Sequence, residues 1–329
     1  MSRGLGDVYK RQVFDPNDMR RDVSITMTGS NGKGVEKLIP FVPNSKAEGG
    51  GLTLNKWDEN RQANPWVAAQ RKSGINGPYM RMSEVYLGYA EVCAALGDVV
   101  TGKQYLKTVR ERSFPQGLAN TDAFIASFGN DLVRAIIEER GFEYAGEGDR
   151  RWTLIRSGYL PEDIKRIKDM TKAMMDGLAT KGYYEFENGN IISAYIWTKL
   201  VDAKTIYGHR LTAQCPTDKV NDPVLYPGWR GQKDNWEEMG LNYGSSTPAT
   251  NLAIKGLFEI VSEEEAASLE SQGYTKVNWG IDLVDNRDEY DKYLFWDYDY
   301  VSAPIYLWPF TPNVMAAGGF TNGYGFKQE

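Results

Sequence analysis

The sequence contains few of the residues that build metal and redox sites. Its 329 residues include a single histidine, His209, and two cysteines, Cys93 and Cys215. A structural zinc site takes four Cys or His ligands, usually with two of them close together in the chain, and this sequence does not supply that set. Two cysteines so far apart form no disulfide framework either. We therefore predict no metal site and no cofactor.

Two further absences exclude classes of partner. There is no run of about 18 apolar residues, so no transmembrane helix is predicted. Basic residues are not in excess, because 38 Lys and Arg stand against 44 Asp and Glu and leave a net charge of −6. An acidic chain of this kind has no electrostatic attraction to nucleic acid or to anionic lipid, so neither is a predicted partner.

Aromatic residues, in contrast, are abundant. They make up 12% of the chain, with 9 Trp and 20 Tyr, and hydrophobic residues in total reach 41%. This composition is sufficient for a large folded core. Tyr and Trp join a flat apolar face to a polar group, which suits them to sugars and other amphipathic ligands as well as to core packing.

The pattern of residues divides the chain into parts. Residues 1–12 are Gly-rich, basic and without an apolar period, and we interpret them as a non-native leader. Residues 13–78 are rich in Gly and Pro, and residues 23–27 alternate as in a short strand. Residues 183–250 are irregular and aromatic, and we interpret them as an insertion in a single domain that covers 13–329.

Helices are predicted where apolar residues recur at spacings of three and four. They are predicted at 79–96, 102–112, 121–137, 161–182 and 250–261, with one more beginning at a capping box at Ser262. The apolar residues of the first are Tyr79, Met82, Tyr86, Tyr89, Ala90, Cys93 and Leu96. The first two helices have a short connection and form an antiparallel hairpin. Such a pair normally stacks on further pairs, as in helical repeats.

One helical segment interleaves carboxylates with arginines. Its charged residues are Glu138, Glu139, Arg140, Glu143, Glu147 and Arg150. Paired carboxylates act as general acid and base in glycosidases. Arginine partners, however, keep a carboxylate ionised, which is wrong for a general acid. We therefore predict a salt-bridge network that holds this helix to its neighbours and no catalytic residue, with glycoside hydrolysis as the less favoured alternative.

Acidic residues also cluster at 285–289 and 297–299, where their carboxylates invite comparison with a calcium loop. Arg287 occupies a ligand position of the first cluster and no Gly follows it, so the EF-hand pattern is not met. We predict that both clusters are solvated loops.

A ligand site is predicted from aromatic residues in the irregular segments. A sugar ring presents an apolar C–H face, which a Trp or Tyr ring covers while neighbouring amide and charged groups bond its hydroxyls. The alternative for each ring is packing against the helical body. The predicted ligand-binding residues are Trp66, Asn64, Tyr226, Trp229, Arg230, Asn235, Trp236 and Tyr243.

Three segments, in this order, resemble the SusD/RagB family. They are RMSEVYLGYAEV at 81–92 with YLKTVRER at 105–112, IIEERGFEYAGEGDRRW at 136–152, and YLWPFTPN at 306–313 with GY at 323–324. Lys56-Trp57 matches a step that precedes the first segment in the family. Two departures stand out: Thr153 replaces the family's usual Asp, and residues 183–243 match no family pattern.

The resemblance implies a mainly α-helical fold of tetratricopeptide-like hairpins with long irregular, aromatic-rich insertions. It implies non-catalytic capture of oligo- or polysaccharides at the outer-membrane surface and delivery to a SusC-like TonB-dependent barrel. The family's N-terminal half, with its lipidated cysteine, is not in this sequence, and membrane attachment is expected only through that lipid. Two alternatives are a structural lid or adaptor of the transporter and a protein that captures oligopeptides.

Overall fold

The computed structural model describes residues 10–15, 17–26, 28–30, 36–38, 53–54, 56, 77–202, 250–256, 259–288, 299, 301–302, 306 and 311–319. The helices of this part are α1 (Arg20–Ser24), α2 (Met82–Ala95), α3 (Val99–Glu111), α4 (Thr121–Ala126), α5 (Leu132–Glu143), α6 (Asp149–Ser157), α7 (Leu160–Lys181), α8 (Glu263–Ser271), α9 (Gly280–Asp285) and α10 (Pro312–Gly318). The predicted mainly α-helical class is confirmed. In the part of the chain that is described, no helix combines the length and the apolar character needed to cross a membrane.

The strands are short and pair only in antiparallel fashion within the described residues. They are β1 (Ile25–Thr26), β2 (Thr28–Ser30), β3 (Glu36–Leu38), β4 (Thr53–Leu54), β5 (Tyr183–Glu185), β6 (Ile191–Ser193), β7 (Tyr195–Asp202), β8 (Thr250–Lys255) and β9 (Thr275–Asn278). Three two-stranded pairs form, β1 with β4, β2 with β3 and β5 with β6. The fourth sheet has the order β8-β7-β9, and its register places Asp202 opposite Thr250.

Local signals set where the helices begin and end. The side chains of Asp98 and Asp131 accept hydrogen bonds from backbone N–H groups in the first turns of α3 and α5. The predicted cap at Ser262 is confirmed, because its hydroxyl accepts from the Glu265 N–H at 3.2 Å. Gly158 and Gly182 adopt left-handed φ values of 77° and 78° and end α6 and α7.

The predicted hairpin of the first two helices is confirmed as α2 and α3. The Tyr89 and Tyr105 rings meet edge to face with centroids 5.0 Å apart. Gly102 lets the helices approach closely, because a Cβ at this position would lie 3.0 Å from the Ala90 carbonyl oxygen. The core between α2, α3, α4 and α5 contains Leu87, Ala90, Leu106, Val109, Ile125, Leu132, Ala135, Ile136 and Tyr144.

A second core lies between α7 and the strands that follow it. Gly280 at the start of α9 fits against β6, where a Cβ would meet the Ser193 carbonyl oxygen at 2.6 Å. The cluster joins residues from both ends of the chain and comprises Phe14, Ile25, Phe142, Ala145, Met174, Met175, Leu178, Phe186, Ile192, Ala194, Ile196, Ile254, Trp279 and Leu283.

Residues 10–14 are held to the β5–β6 hairpin by amide side chains. Asn190 Nδ2 donates to the carbonyl oxygens of Gln12 at 2.7 Å and Phe14 at 2.9 Å. Asn188 Nδ2 donates to the same Gln12 oxygen at 2.9 Å. The division of the chain at residue 12, like the extent of the insertion, stays a prediction.

Several predictions of secondary structure are wrong. Residues 250–255 form strand β8 rather than a helix, because they pair with β7, a partner that local periodicity does not reveal. The helix predicted at 121–137 is two helices, since Gly129 and Asn130 take left-handed φ values of 66° and 64° and turn the chain. Strands β5, β6 and β7 also form at the start of the segment interpreted as irregular.

Other differences are smaller. Of the strand predicted at 23–27, Ile25 and Thr26 are in a strand, whereas α1 continues to Ser24 and residue 27 lies outside the described residues. Helices α1, α6, α9 and α10 were not predicted. The apolar residues of the first predicted helix do not share one buried face: Ala90 and Cys93 are buried, whereas Tyr79, Met82, Tyr89 and Leu96 are exposed.

Candidate functional site

The charged segment singled out in the sequence forms α5 and the turn after it. Every residue from Ala135 to Glu143 is buried, including four charged ones. A buried charge is strongly destabilising unless it is paired, so the partners of these four residues decide what the segment does.

Glu139 lies between two arginines from different helices. Its side chain is 0% exposed, and its carboxylate accepts from Arg20 Nη1 at 2.6 Å and from Arg110 Nη1 at 2.9 Å. Arg20 belongs to α1 and also binds Asp18 through two nitrogens. The pair thereby ties α5 to α1 and α3.

Glu143, one helical turn further on, accepts from three arginines. Arg20 Nη1 lies 3.0 Å away, Arg81 Nη1 lies 2.6 Å away, and Arg112 donates from the end of α3. Burial opposes ionisation of this carboxyl, but the three guanidinium groups outweigh burial and lower its pKa to about 2. Glu143 is therefore a carboxylate at any physiological pH.

Arg140 faces the other side of α5, toward α2 and α6. It donates to Glu84 at 2.9 Å, to Asp149 at 2.6 Å and to the Thr153 hydroxyl at 3.2 Å. The Thr153 hydroxyl in turn donates to Asp149 at 2.9 Å. Thr153, the departure from the family pattern, thus bridges Arg140 and Asp149, a role that requires a group able both to accept and to donate.

A third group of ion pairs joins α5 to α6 and α7. Glu138 and Asp163 share Arg150, whose Nη2 lies 2.9 Å from Glu138 and 3.1 Å from Asp163. Arg134 and Arg166 complete the group. Burial raises the pKa of Asp163, and the coulombic effect of Arg150 and Arg166 exceeds it, so the net shift is downward.

These contacts confirm the predicted salt-bridge network. All six charged residues of the motif are paired, and the network connects α5 to α1, α2, α3, α6 and α7. Glu143 and Asp163 have lowered pKa values, whereas a general acid needs a raised one. This arrangement supports a structural role, in which ion pairs hold the helices together.

The predicted ligand-binding residues all lie outside the described residues. They are Asn64, Trp66, Tyr226, Trp229, Arg230, Asn235, Trp236 and Tyr243. They stay predictions. Where the chain is described, no group of three or more His, Cys, Asp or Glu side chains is placed to hold a metal.

Sequence reasoning did not find a groove of about 530 Å³ at the N-terminal ends of α3 and α4. An ion pair between Lys103 and Asp122 lies in it, beside Val99 and Asn120. No residue that lines it is aromatic, so it lacks the platform that sugar binding requires. No spacing or composition in the sequence marks these residues.

Comparison with known proteins gives one positive result. A model of the SusD family matches residues 11–309. This stretch contains the whole ion-pair network and all of the predicted ligand-binding residues. Searches of curated proteins and of solved structures gave no match. The family model matches most of the length of this chain, and the charged residues of the motif are paired as described above. The chain therefore belongs to the SusD family.

Proposed function

We propose that this protein captures oligo- or polysaccharides at the cell surface, without catalysis, and delivers them to a SusC-like TonB-dependent barrel of the outer membrane. Membership of the SusD family is the observation that carries the proposal, because it is a family of nutrient-binding proteins of the cell surface. Three parts of the proposal go beyond family membership. They are the glycan ligand, the barrel partner and attachment through an N-terminal lipid.

The charged network supports a binding role over a hydrolytic one. A glycosidase of the common type needs one carboxyl group that keeps its proton near neutral pH. Glu143 and Asp163 are instead surrounded by guanidinium groups that favour the ionised form. Ion pairs among six helices also give a rigid body, and a rigid body reduces the entropy lost when a ligand binds.

The proposed ligand contacts are aromatic stacking and hydrogen bonds to sugar hydroxyls. The candidates are Trp66, Asn64, Tyr226, Trp229, Arg230, Asn235, Trp236 and Tyr243. Binding of a neutral glycan by such contacts displaces few ions, so its affinity should change little with salt concentration.

Titration of the protein with a panel of neutral polysaccharides, by affinity gel and calorimetry, tests the proposal. We expect retardation by at least one glycan and a loss of affinity of about fivefold or more in Trp229→Ala or Trp236→Ala, since a buried aromatic contact is typically worth about 1 kcal/mol or more. Trp152→Ala is the matched control, because Trp152 is exposed and is not a proposed contact.

The outcomes separate the rival functions. Co-purification with a barrel and uptake that is unchanged in the triple variant Trp66→Ala, Trp229→Ala, Trp236→Ala would indicate a structural lid or adaptor. Retention of oligopeptides but of no glycan would change the ligand class. Release of reducing sugar that a single Glu substitution abolishes would contradict the non-catalytic role.

A further inference from the structure

The sheet β8-β7-β9 has one face on the core and an opposite face that carries lysines. Ile196 lies on the core side and is 0% exposed. Its neighbour Trp197 lies on the other side, opposite Lys255 of β8 and opposite Lys276 of β9. Residues paired across strands, and residues two apart along a strand, point to the same side. Lys199 therefore shares this side, which we call the lysine face.

The lysine face is a local excess of positive charge. Strand spacing places the backbones of Lys255 and Lys276 about 10 Å apart, with Lys199 between them one pair further along the ladder. The register puts no Asp or Glu of the three strands on this face. None of the three lysines forms an ion pair within the part of the chain that the structure describes. The buried cations of the α5 network, in contrast, have carboxylate partners, and the chain as a whole has a net charge of −6.

Aromatic rings hold two of the ammonium groups in place. Lys276 Nζ lies 4.1 Å from the centroid of the Tyr195 ring, and Lys199 Nζ lies 5.8 Å from that of the Tyr274 ring. Both are cation–π contacts. Lys199 Nζ also donates to the Gln272 carbonyl oxygen at 2.6 Å. Ammonium groups that are positioned before a ligand arrives lose less entropy when it binds.

Trp197 adds a hydrogen-bond donor at the centre of the face. Its side chain is 6% exposed, and its indole N–H has no acceptor among the residues that the structure describes. A buried N–H without an acceptor is rare and destabilising. The side chains of Lys255 and Lys276, on either side of the ring, are flexible, and their movement toward a bound anion would open a path to the N–H. The face thus combines three cations and one donor with no acidic acceptor of its own.

This chemistry fits an acidic saccharide. Carboxylate and sulfate groups only accept hydrogen bonds, and they form strong ones with ammonium groups. A membrane or a nucleic acid presents a dense array of negative charge, which a chain of net charge −6 repels. A single polysaccharide chain with spaced acidic groups can reach the lysine face with less repulsion. Strands β7 and β8 also flank, in the sequence, the segment that contains most of the proposed sugar contacts.

We propose that the lysine face binds the carboxylate or sulfate groups of an acidic polysaccharide, with Lys199, Lys255 and Lys276 as the cationic groups. The inference rests on the proposed capture of glycans and narrows the ligand class to glycans that carry uronate or sulfate. The charged contacts depend on salt concentration, whereas the aromatic contacts to neutral sugars do not. The two contributions can therefore be measured separately.

Matched polysaccharides that differ only in charge test the proposal. The pairs are polygalacturonate with its methyl ester and dextran sulfate with dextran, compared by affinity gel and calorimetry. We expect at least one acidic member to bind about tenfold more tightly than its neutral counterpart at about 0.05 M salt, and to lose most of this advantage at about 0.5 M.

Removing the three charges should abolish the preference. The triple variant Lys199→Gln, Lys255→Gln, Lys276→Gln should bind the acidic probe at least about tenfold more weakly, with its affinity for neutral glycans unchanged. The control makes the same change in net charge at exposed lysines of α3 and α7, by Lys107→Gln, Lys165→Gln and Lys172→Gln. It should bind the acidic probe nearly as well as the wild-type chain.

Single variants serve if circular dichroism shows that the triple variant is not folded. Lys276 is exposed, so substitution there should leave the fold intact. Lys276→Gln should weaken binding of the acidic probe about threefold, and Lys276→Arg, which keeps the charge, should retain the affinity. Equal losses in these two variants would assign the effect to the shape of the side chain and contradict the proposal.

The remaining outcomes separate this inference from the proposed function. Equal affinity for the acidic and neutral members of each pair, or an acidic probe that the triple variant binds like the wild-type chain, would overturn the inference and leave the capture of neutral glycans standing. Retention of no glycan of either kind would contradict both. Binding to phosphatidylglycerol vesicles that the triple variant loses, without binding to any acidic polysaccharide, would assign the lysine face to a lipid surface and overturn the inference.

Discussion

Helices α2 and α5 contribute to one core but differ in the residues that they bury. Helix α5 buries four charged residues on more than one side, each with arginine or carboxylate partners from other helices. Helix α2 instead exposes large apolar residues, among them Met82, Val85, Tyr89 and Val92. The charged residues of α5 are therefore all paired within the described part of the chain. The apolar character of a residue alone does not tell which side of a helix is buried.

Removing the most buried carboxylate should break the α5 side of this comparison. Glu139→Leu leaves the buried Arg110 without its carboxylate partner, while Arg20 keeps Asp18 and Glu143. Loss of one member of a buried ion pair typically costs about 3–5 kcal/mol. We expect a fall of this size in the free energy of unfolding measured by urea denaturation. Asp169→Asn is the control, because its exposed pair with Lys165 should contribute less than about 0.5 kcal/mol.

Acid should weaken the same network through Glu143. Its pKa in the folded protein, about 2, lies below its ordinary value of 4.5, so its stabilising effect is complete above pH 4.5 and is lost as the pH falls toward 2. The loss should be roughly 3 kcal/mol, from the size of the shift. Denaturation curves at a series of pH values measure it. Glu143→Gln should be less stable at neutral pH and show a flatter profile below pH 4.5; an unchanged profile would contradict the assignment.

A neutral member of the network should have a smaller effect. Thr153→Val keeps the shape of the side chain but removes the hydroxyl that accepts from Arg140 and donates to Asp149. A buried polar group left without its partner costs about 1–3 kcal/mol. Thermal denaturation should show Thr153→Val destabilised and Thr153→Ser close to wild type. Equal losses in both variants would assign the effect to the methyl group instead.

The smallest effect is expected on α2, and it should be a gain. Gly88→Ala removes a flexible residue from the interior of a helix, at a position with open space around it. The substitution should stabilise the monomer by about 0.5–1 kcal/mol. Urea denaturation of Gly88→Ala and of the wild-type chain measures this difference in the free energy of unfolding. A loss of stability would mean that other atoms lie closer to Gly88 than the structure shows.

Structural features that depend on neighbouring residues are predicted from the sequence, whereas features that depend on distant residues are not. The α2–α3 hairpin follows from spacings of three and four, and the interleaved charges at 138–150 predict that ion pairs form there. The partners of Glu139 and Glu143 come from other helices, and the sequence does not identify them. Strand β8 was predicted as a helix because its partner, β7, lies about fifty residues earlier. The break at Gly129 was missed because a continuous apolar stripe runs across it.

The face of α2 shows a further limit of periodicity. Spacing identifies an apolar helix but does not say which apolar side the chain itself covers. The predicted stripe mixed buried residues such as Ala90 with exposed ones such as Tyr89, and contacts from α3 and α5 separate the two. The ligand-binding candidates between Asn64 and Tyr243 lie outside the described residues and stay predictions.

The pairing of β7 with β8 has a consequence for how this protein can diversify. Asp202 and Thr250 face each other across the ladder, so the two ends of the segment between them lie one strand spacing apart, about 4.8 Å. Such an anchor accepts segments of many lengths, because each doubling of a loop costs only about 0.6 kcal/mol in closure entropy. Most of the proposed ligand contacts belong to this segment. If the proposed contacts are correct, we expect that grafting residues 203–249 from one family member to another would exchange the binding preference and leave the stability of the helical scaffold nearly unchanged.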